Sequence, residues 1–369
     1  MIYLDYSATT FADKKVIDEF NKACLKFKGN PNSSHKLGLK AKEKIEQISN
    51  KILGMFKLNN YSIIYTSGAT ESNNLAIKGV CNANKGKHII TTRLEHSSVI
   101  SPINRLASNN YDVDFVNLTK DGIVDVNDLK EKIKEDTVLV SICYVDSELG
   151  IKQNIQEIGK ILKDYPNCYF HVDATQAIGK IEPNFEDVDL ISFSAHKFFG
   201  LKGIGALIKN NNVKIMPLLD GGNSTTKFRS GTPATELIVS LGKALELVYF
   251  NFDKKMEYVK SLNEDLKTFL NNYEDIKINN TKCSIDQNIN FSVPNSKKIV
   301  GLLDENEIYV STKSACSSSE TLSKTIMAIY DDEKRAEDSI RISLSHKTTK
   351  EEMKKFKKIF NYCYLNKGE

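Results

Sequence analysis

Residues 169–180 read YFHVDATQAIGK and residues 189–207 read DLISFSAHKFFGLKGIGAL. Each half opens on a short apolar run of the kind a buried strand needs, and each run delivers chemistry at its carboxyl end. Tyr169, Phe170 and Val172 lead to Asp173; Leu190, Ile191 and Phe193 lead to Ser194, His196 and Lys197. Ligands of open α/β sheets bind beyond the carboxyl ends of parallel strands, so an acid and a lysine 24 residues apart can converge there on one ligand. The expected fold class is therefore α/β.

An acid and a lysine so placed suit pyridoxal 5'-phosphate, which needs a lysine amine for its Schiff base and a carboxylate to keep its ring nitrogen protonated. The same two residues would also make an ordinary ion pair between strand ends. His171, Asp173 and His196 are all metal-ligand types. A metal reading leaves Lys197 unexplained and lacks an open-site signature, so no metal is expected.

The bulk properties narrow the classes. With 369 residues and 40% hydrophobic content the chain can bury a large core, and one large domain with a smaller companion is expected. A net charge of +4, from 51 basic and 47 acidic residues scattered along the chain, gives no nucleic-acid footprint. The N-terminal MIYLDYSATT has neither a charged leader nor an apolar h-region, and no apolar run is long enough to span a bilayer. A cytoplasmic protein without membrane attachment is expected. The seven cysteines include no CxxC pair and no zinc spacing, which fits a reducing compartment. Six sit in apolar or helical contexts as small buried hydrophobes; Cys316, in a run of small polar residues, has the accessible setting of a nucleophilic thiol.

Elsewhere strands and helices alternate. Ser62 to Thr66 reads as a strand running into Ser67-Gly68-Ala69-Thr70-Glu71 and then a helix. Free N–H groups and the positive dipole end at such a helix start make an anion site, although serine and threonine also cap helices with no further purpose. His88 to Thr92 is strand-like, with Glu95-His96 beyond its carboxyl end. A polar, Asn-rich stretch precedes Tyr111. Further strands are expected over 111–117 and 138–145, and helices over 126–133, 155–162, 236–250, 254–270 and 350–364.

Several strings together resemble one family. HVDATQ followed by SFSAHKFFGLKGIGAL, TSGATESNNLAIKG, the EH of Glu95-His96, RSGT before Pro233, and STKSACSSS around Cys316 are similar to the NifS-like cysteine desulfurases of the class V aminotransferase family, and the likeness runs from Tyr3 to about Thr349. It implies fold type I: a large domain with a mostly parallel seven-stranded sheet flanked by helices, and a smaller α+β C-terminal domain. Divided so, residues 1–13 associate with the small domain, 14–250 form the large cofactor domain, and 251–369 form the small domain carrying the cysteine loop.

The resemblance also assigns roles. Lys197 bonds the cofactor, Asp173 meets its ring nitrogen, His96 stacks on the ring and Gln176 donates to its phenolic oxygen. Ala69, Thr70, Ser194 and His196 belong to the phosphate end, and Thr232 reaches the phosphate of a neighbouring subunit, implying a homodimer. Arg341 grips the substrate carboxylate and Cys316 accepts sulfur. The implied reaction converts L-cysteine to L-alanine with a persulfide on Cys316, handed to an iron-sulfur scaffold or a tRNA-thiolation protein. Departures stand at Ser147, where the family has asparagine, at Lys313 in place of glycine, over 223–226, and at Ser345-His346. They keep two other readings open: a selenocysteine lyase or other carbon-sulfur lyase, which needs no accepting Cys316, and a non-enzymatic relative that binds a partner.

Overall fold

The structure is a computed structural model and describes residues 1–312 and 322–367. Its strands are β1 (Ile2–Tyr3), β2 (Tyr61–Thr66), β3 (His88–Thr91), β4 (Asp112–Phe115), β5 (Thr137–Cys143), β6 (Tyr169–Asp173), β7 (Leu190–Ser194), β8 (Gly205–Asn210), β9 (Lys277–Ile278), β10 (Asn288–Ser292), β11 (Ile308–Tyr309) and β12 (Ser339–Ser343). Seven of them form one sheet in the order β2-β8-β7-β6-β5-β3-β4. Only β8 runs against its neighbours, so six strands point their carboxyl ends at the same edge.

Adjacent residues of these strands pack on opposite faces of the sheet. Ile90, Val140, Ile191 and Ile208 pack on one face with Ile45, Ile48, Leu241 and Leu245, while Ile89, Leu139, Leu190 and Leu207 pack on the other with Leu75, Ile77, Val99 and Ile103. A sheet covered on both faces reads as continuous apolar sequence, which is why the runs around Phe170 and Ile191 were legible as strands.

Four helices matter for the site's neighbourhood: α1 (Lys14–Lys26), α2 (Lys36–Met55), α3 (Ala69–Ala83) and α4 (Ser97–Ala107). The last lies in the segment before Tyr111, which the sequence marked only as a polar, Asn-rich stretch. Val99, Ile103 and Leu106 recur at helical spacing and are buried, but Pro102 lies inside the helix and the cap is His96, whose Nδ1 accepts from the Ser98 N–H at 3.1 Å. A proline interior and a histidine cap are weak helix signals.

A second core gathers Ile2, Leu4, Phe291, Ile340, Phe356 and Phe360. It sits on the antiparallel sheet β12-β10-β9, and β1 pairs in parallel with β11, tying the amino terminus to the last third of the chain. No described helix is long and apolar enough to cross a membrane.

Candidate active site

A cavity of about 590 Å³ opens at the carboxyl edge of the large sheet. Ten of the residues singled out from sequence line it: Ala69 and Thr70 at the start of α3, His96 before α4, Ser147 after β5, Asp173 and Gln176 after β6, Ser194, His196 and Lys197 at the end of β7, and Arg341 from β12. Thr232 does not. It lines a neighbouring pocket of about 120 Å³ that shares Ser67 and Gly203 with the main cavity. Cys316 and Lys313 lie outside the described residues.

At the deep end, Asp173 Oδ2 accepts from Asn73 Nδ2 at 2.8 Å and Oδ1 from the Thr175 N–H at 2.9 Å. Asn73 Nδ2 also donates to Ser98 Oγ at 2.9 Å, and Ser98 Oγ lies 2.8 Å from His96 Nδ1. One chain of contacts thus orients both Asp173 and His96. Because the Ser98 N–H already donates to Nδ1, the proton of the neutral ring belongs on Nε2. Burial pushes the His96 pKa below its ordinary value, the Asp173 charge opposing and the Lys197 charge adding to the shift, so the ring is neutral near pH 7.

The opposite end is built for an anion. Gly68, the residue before α3, offers no side-chain cap, and Ser67, Gly68, Ala69 and Thr70 face the cavity beside Ser194 and His196. The turn fits because β8 comes close: a Cβ on Gly205 would lie 2.7 Å from the Gly68 Cα. His196 Nδ1 is 3.0 Å from Thr9 Oγ1. Burial, with Lys197, Lys202 and Lys180 nearby, holds its pKa down to about 4, so it meets an anion as a neutral hydrogen-bonding group.

Lys197 Nζ donates to the backbone carbonyls of Ser7 and Ala8 at 2.7 and 2.8 Å, and Gln176 Nε2 donates to the same Ser7 carbonyl at 2.9 Å. Arg341 is 1% exposed; its Nη2 pairs with Asp5 Oδ1 at 2.7 Å and its Nη1 donates to the Ser147 carbonyl at 3.0 Å. Its Nε and the Thr175 Oγ1 are buried without a partner among the described residues. Ser147 therefore meets Arg341 through its backbone. His346 packs edge-on against Phe199 at 4.8 Å, and Arg341 is held from Asp5 and Ser147.

His171 is a core residue: its two ring nitrogens meet Ser141 Oγ at 2.8 Å and Ser192 Oγ at 2.9 Å. Among the described residues the one cluster with metal-ligand spacing is His88, Asp112 and Asp114, remote from this cavity and bridged by Lys134 Nζ at 2.5 Å from Asp112 and 3.1 Å from Asp114. Sequence reasoning missed Asn73, Ser98, Asp5 and Lys180. Asn73 lies one helical turn beyond Thr70 and Lys180 four residues beyond Gln176, so both were within reach of a spacing argument; the pairing of Asp5 with Arg341 was not.

The donor set fits pyridoxal phosphate: an oriented carboxylate, a lysine amine in the cavity, an uncapped helix start, and a neutral imidazole between them. Residues 2–356 match the family Aminotransferase class-V. The chain is 40% identical over 362 residues to the cysteine desulfurase IscS of Dictyoglomus turgidum, covering 95% of this chain and 91% of that protein. It is 37% identical to the mitosomal cysteine desulfurase of Encephalitozoon cuniculi, covering 95% and 84%. A NifS-like protein of known structure superposes with a TM-score of 0.91 at 32% identity over 99% of both chains. With a cavity whose lining follows the family strings, the chain belongs to the class V aminotransferase family, among its NifS- and IscS-like cysteine desulfurases.

Proposed function

We propose that the protein is a pyridoxal phosphate-dependent cysteine desulfurase that converts L-cysteine to L-alanine and passes the sulfur, as a persulfide on Cys316, to an acceptor protein of iron-sulfur assembly or tRNA thiolation. The observation that carries this reading is the convergence of Asp173, His96, Lys197 and Arg341 on one cavity with an uncapped helix start at its other end. When bound, the cofactor supplies an electron sink that weakens bonds at the substrate α-carbon.

The chain's own groups do the rest. Asp173, fixed by Asn73 and Thr175, keeps the ring nitrogen protonated. His96, a neutral group with its proton on Nε2, would stack on the ring. Lys197 would hold the cofactor through its amine, and that amine is the group in the cavity that would move protons at the substrate carbon. Arg341 presents a guanidinium to the α-carboxylate, the geometry a planar fork suits. The Cys316 thiolate attacks the substrate sulfur: an S–S bond forms, the carbon–sulfur bond breaks, and its electron pair stays on the β-carbon, which takes a proton and leaves in alanine.

Thr232, one pocket away across Ser67 and Gly203, supports a homodimer in which it serves the partner's phosphate end. The two separate cores support a division into 1–13, 14–250 and 251–369. A reducing, cytoplasmic setting suits a free nucleophilic thiol.

The test is to incubate the purified yellow protein with L-cysteine and measure alanine and protein-bound persulfide for wild type, Lys197→Ala and Cys316→Ala. Alanine in wild type, none in Lys197→Ala, and no persulfide in Cys316→Ala support the desulfurase. Sulfide release undiminished by Cys316→Ala makes it a lyase, and no turnover makes it a binding protein.

A further inference from the structure

Lys180 has no part in the roles above, yet its amine reaches the site. It follows Gln176 by four residues, and its Nζ donates to Gln176 Oε1. The residue as a whole is half-buried, but its charged end is turned inward, and no carboxylate among the described residues pairs with it. Burial, together with the Lys197 and Arg341 cations, pushes its pKa well below the ordinary lysine value. An unpaired buried amine is costly.

Gln176 is 7% exposed and lines the cavity. Its amide stands between two fixed groups, the accepting carbonyl of Ser7 and the donating amine of Lys180. Only one orientation satisfies both: Oε1 toward Lys180, Nε2 toward Ser7 and the cavity. One N–H of that nitrogen meets Ser7, and the second is left for an acceptor in the cavity. A flipped amide would set carbonyl against carbonyl. Lys180 is itself held by its backbone, whose carbonyl accepts from Gln287 Nε2 at 2.9 Å.

We propose that Lys180 is a positioning residue for the cofactor: by engaging Gln176 Oε1 from behind, it steadies the amide that the Ser7 carbonyl orients, so that Gln176 Nε2 is held in place to donate to the ring oxygen of pyridoxal phosphate. This rests on the cofactor reading of the site. Replacing Lys180 by an apolar side chain leaves Oε1 unsatisfied and the amide held only by the Ser7 carbonyl, so the hydrogen bond to the bound ring oxygen is less firmly directed.

The experiment is a double-mutant cycle on the purified holoprotein with Lys180→Met, Gln176→Ala and the pair, reading cofactor dissociation from the loss of visible absorbance on dilution and the pH midpoint of that absorbance. Each single change is expected to weaken cofactor retention about tenfold and to move the pH midpoint, the scale of one lost hydrogen bond to a charged partner. The pair is expected to match Gln176→Ala alone, because Lys180 acts through Gln176. Lys180→Arg, which still donates, should stay within about threefold of wild type. Additive losses, or a Lys180→Met protein that retains cofactor as wild type does, overturn the proposal. Should Lys180→Met not fold, Lys180→Ala takes its place in the cycle. A wild-type protein that takes up no pyridoxal phosphate overturns instead the cofactor reading beneath it.

Discussion

Asp5 and Arg341 are 336 residues apart in the chain and form an ion pair of 2.7 Å, the arginine almost fully buried and the acid partly exposed. The contact closes the amino-terminal segment over the cavity and fixes the guanidinium proposed to hold the substrate carboxylate. Replacing Asp5 by Asn keeps a weak acceptor but leaves the buried cation uncompensated. The expected cost is about 2–3 kcal/mol of stability, below the range for a fully buried pair because water reaches the acid, together with a raised KM for cysteine. Urea unfolding and steady-state kinetics check both.

Asp173→Asn should separate charge from geometry. The amide can still meet the Thr175 N–H and lie beside Asn73, so folding is expected to be close to wild type. Loss of the carboxylate charge at the ring nitrogen should lower the rate of alanine formation by about 10²–10³-fold. Initial rates compared with thermal melts give the answer.

Gly205 allows β8 to run against the turn at Gly68. Adding a methyl group brings a Cβ to 2.6 Å from the Phe193 carbonyl and 2.7 Å from the Gly68 Cα, both backbone atoms that cannot swing aside. Gly205→Ala is expected to cost about 1–3 kcal/mol and to loosen phosphate binding, seen as weaker retention of cofactor.

Glu95 is buried beneath the site, its Oε1 accepting from Thr92 Oγ1 at 2.7 Å and the Cys143 N–H at 2.8 Å. Burial pushes its pKa up to about 8 from the usual 4.5. Between those values the folded protein holds a proton that the unfolded chain has lost, so this group's contribution to stability is full below about pH 4.5 and falls as pH rises through 8. Glu95→Gln, neutral throughout, should flatten that slope. Denaturation midpoints at pH 5, 7 and 9 for the two proteins test it.

Lys313 precedes Cys316 by three residues and stands where the family has glycine. A cation at that spacing should favour the thiolate, so Lys313→Gly is expected to move the alkylation profile of Cys316 to higher pH. Identical profiles for the two proteins would sink the idea.

Local sequence determined a good deal. The runs at 169–173 and 190–194 specified buried strands, because strands covered on both faces must be apolar throughout, and the order strand, Ser-Gly-Ala-Thr, helix allowed an anion-binding turn that the family string singled out from an ordinary helix cap. His96 and Arg341 stood out only through the family's motifs, while Asp173 and Lys197 were legible as candidates because each carries chemistry a core excludes. The helix over 97–107 was not, since Pro102 and a histidine cap disguise its apolar spacing. Nor could sequence alone say that Thr232 lines a separate pocket, that the Ser7 carbonyl receives both Lys197 and Gln176, or that Asp5 rather than a neighbour of Arg341 steadies the arginine. Those pairings join segments hundreds of residues apart, and their register is set only when β1 lies beside β11 and the two cores close together. Residue chemistry decides what a site can do; long-range packing decides which groups stand within hydrogen-bond reach, because a few ångströms separate an oriented donor from a solvated one.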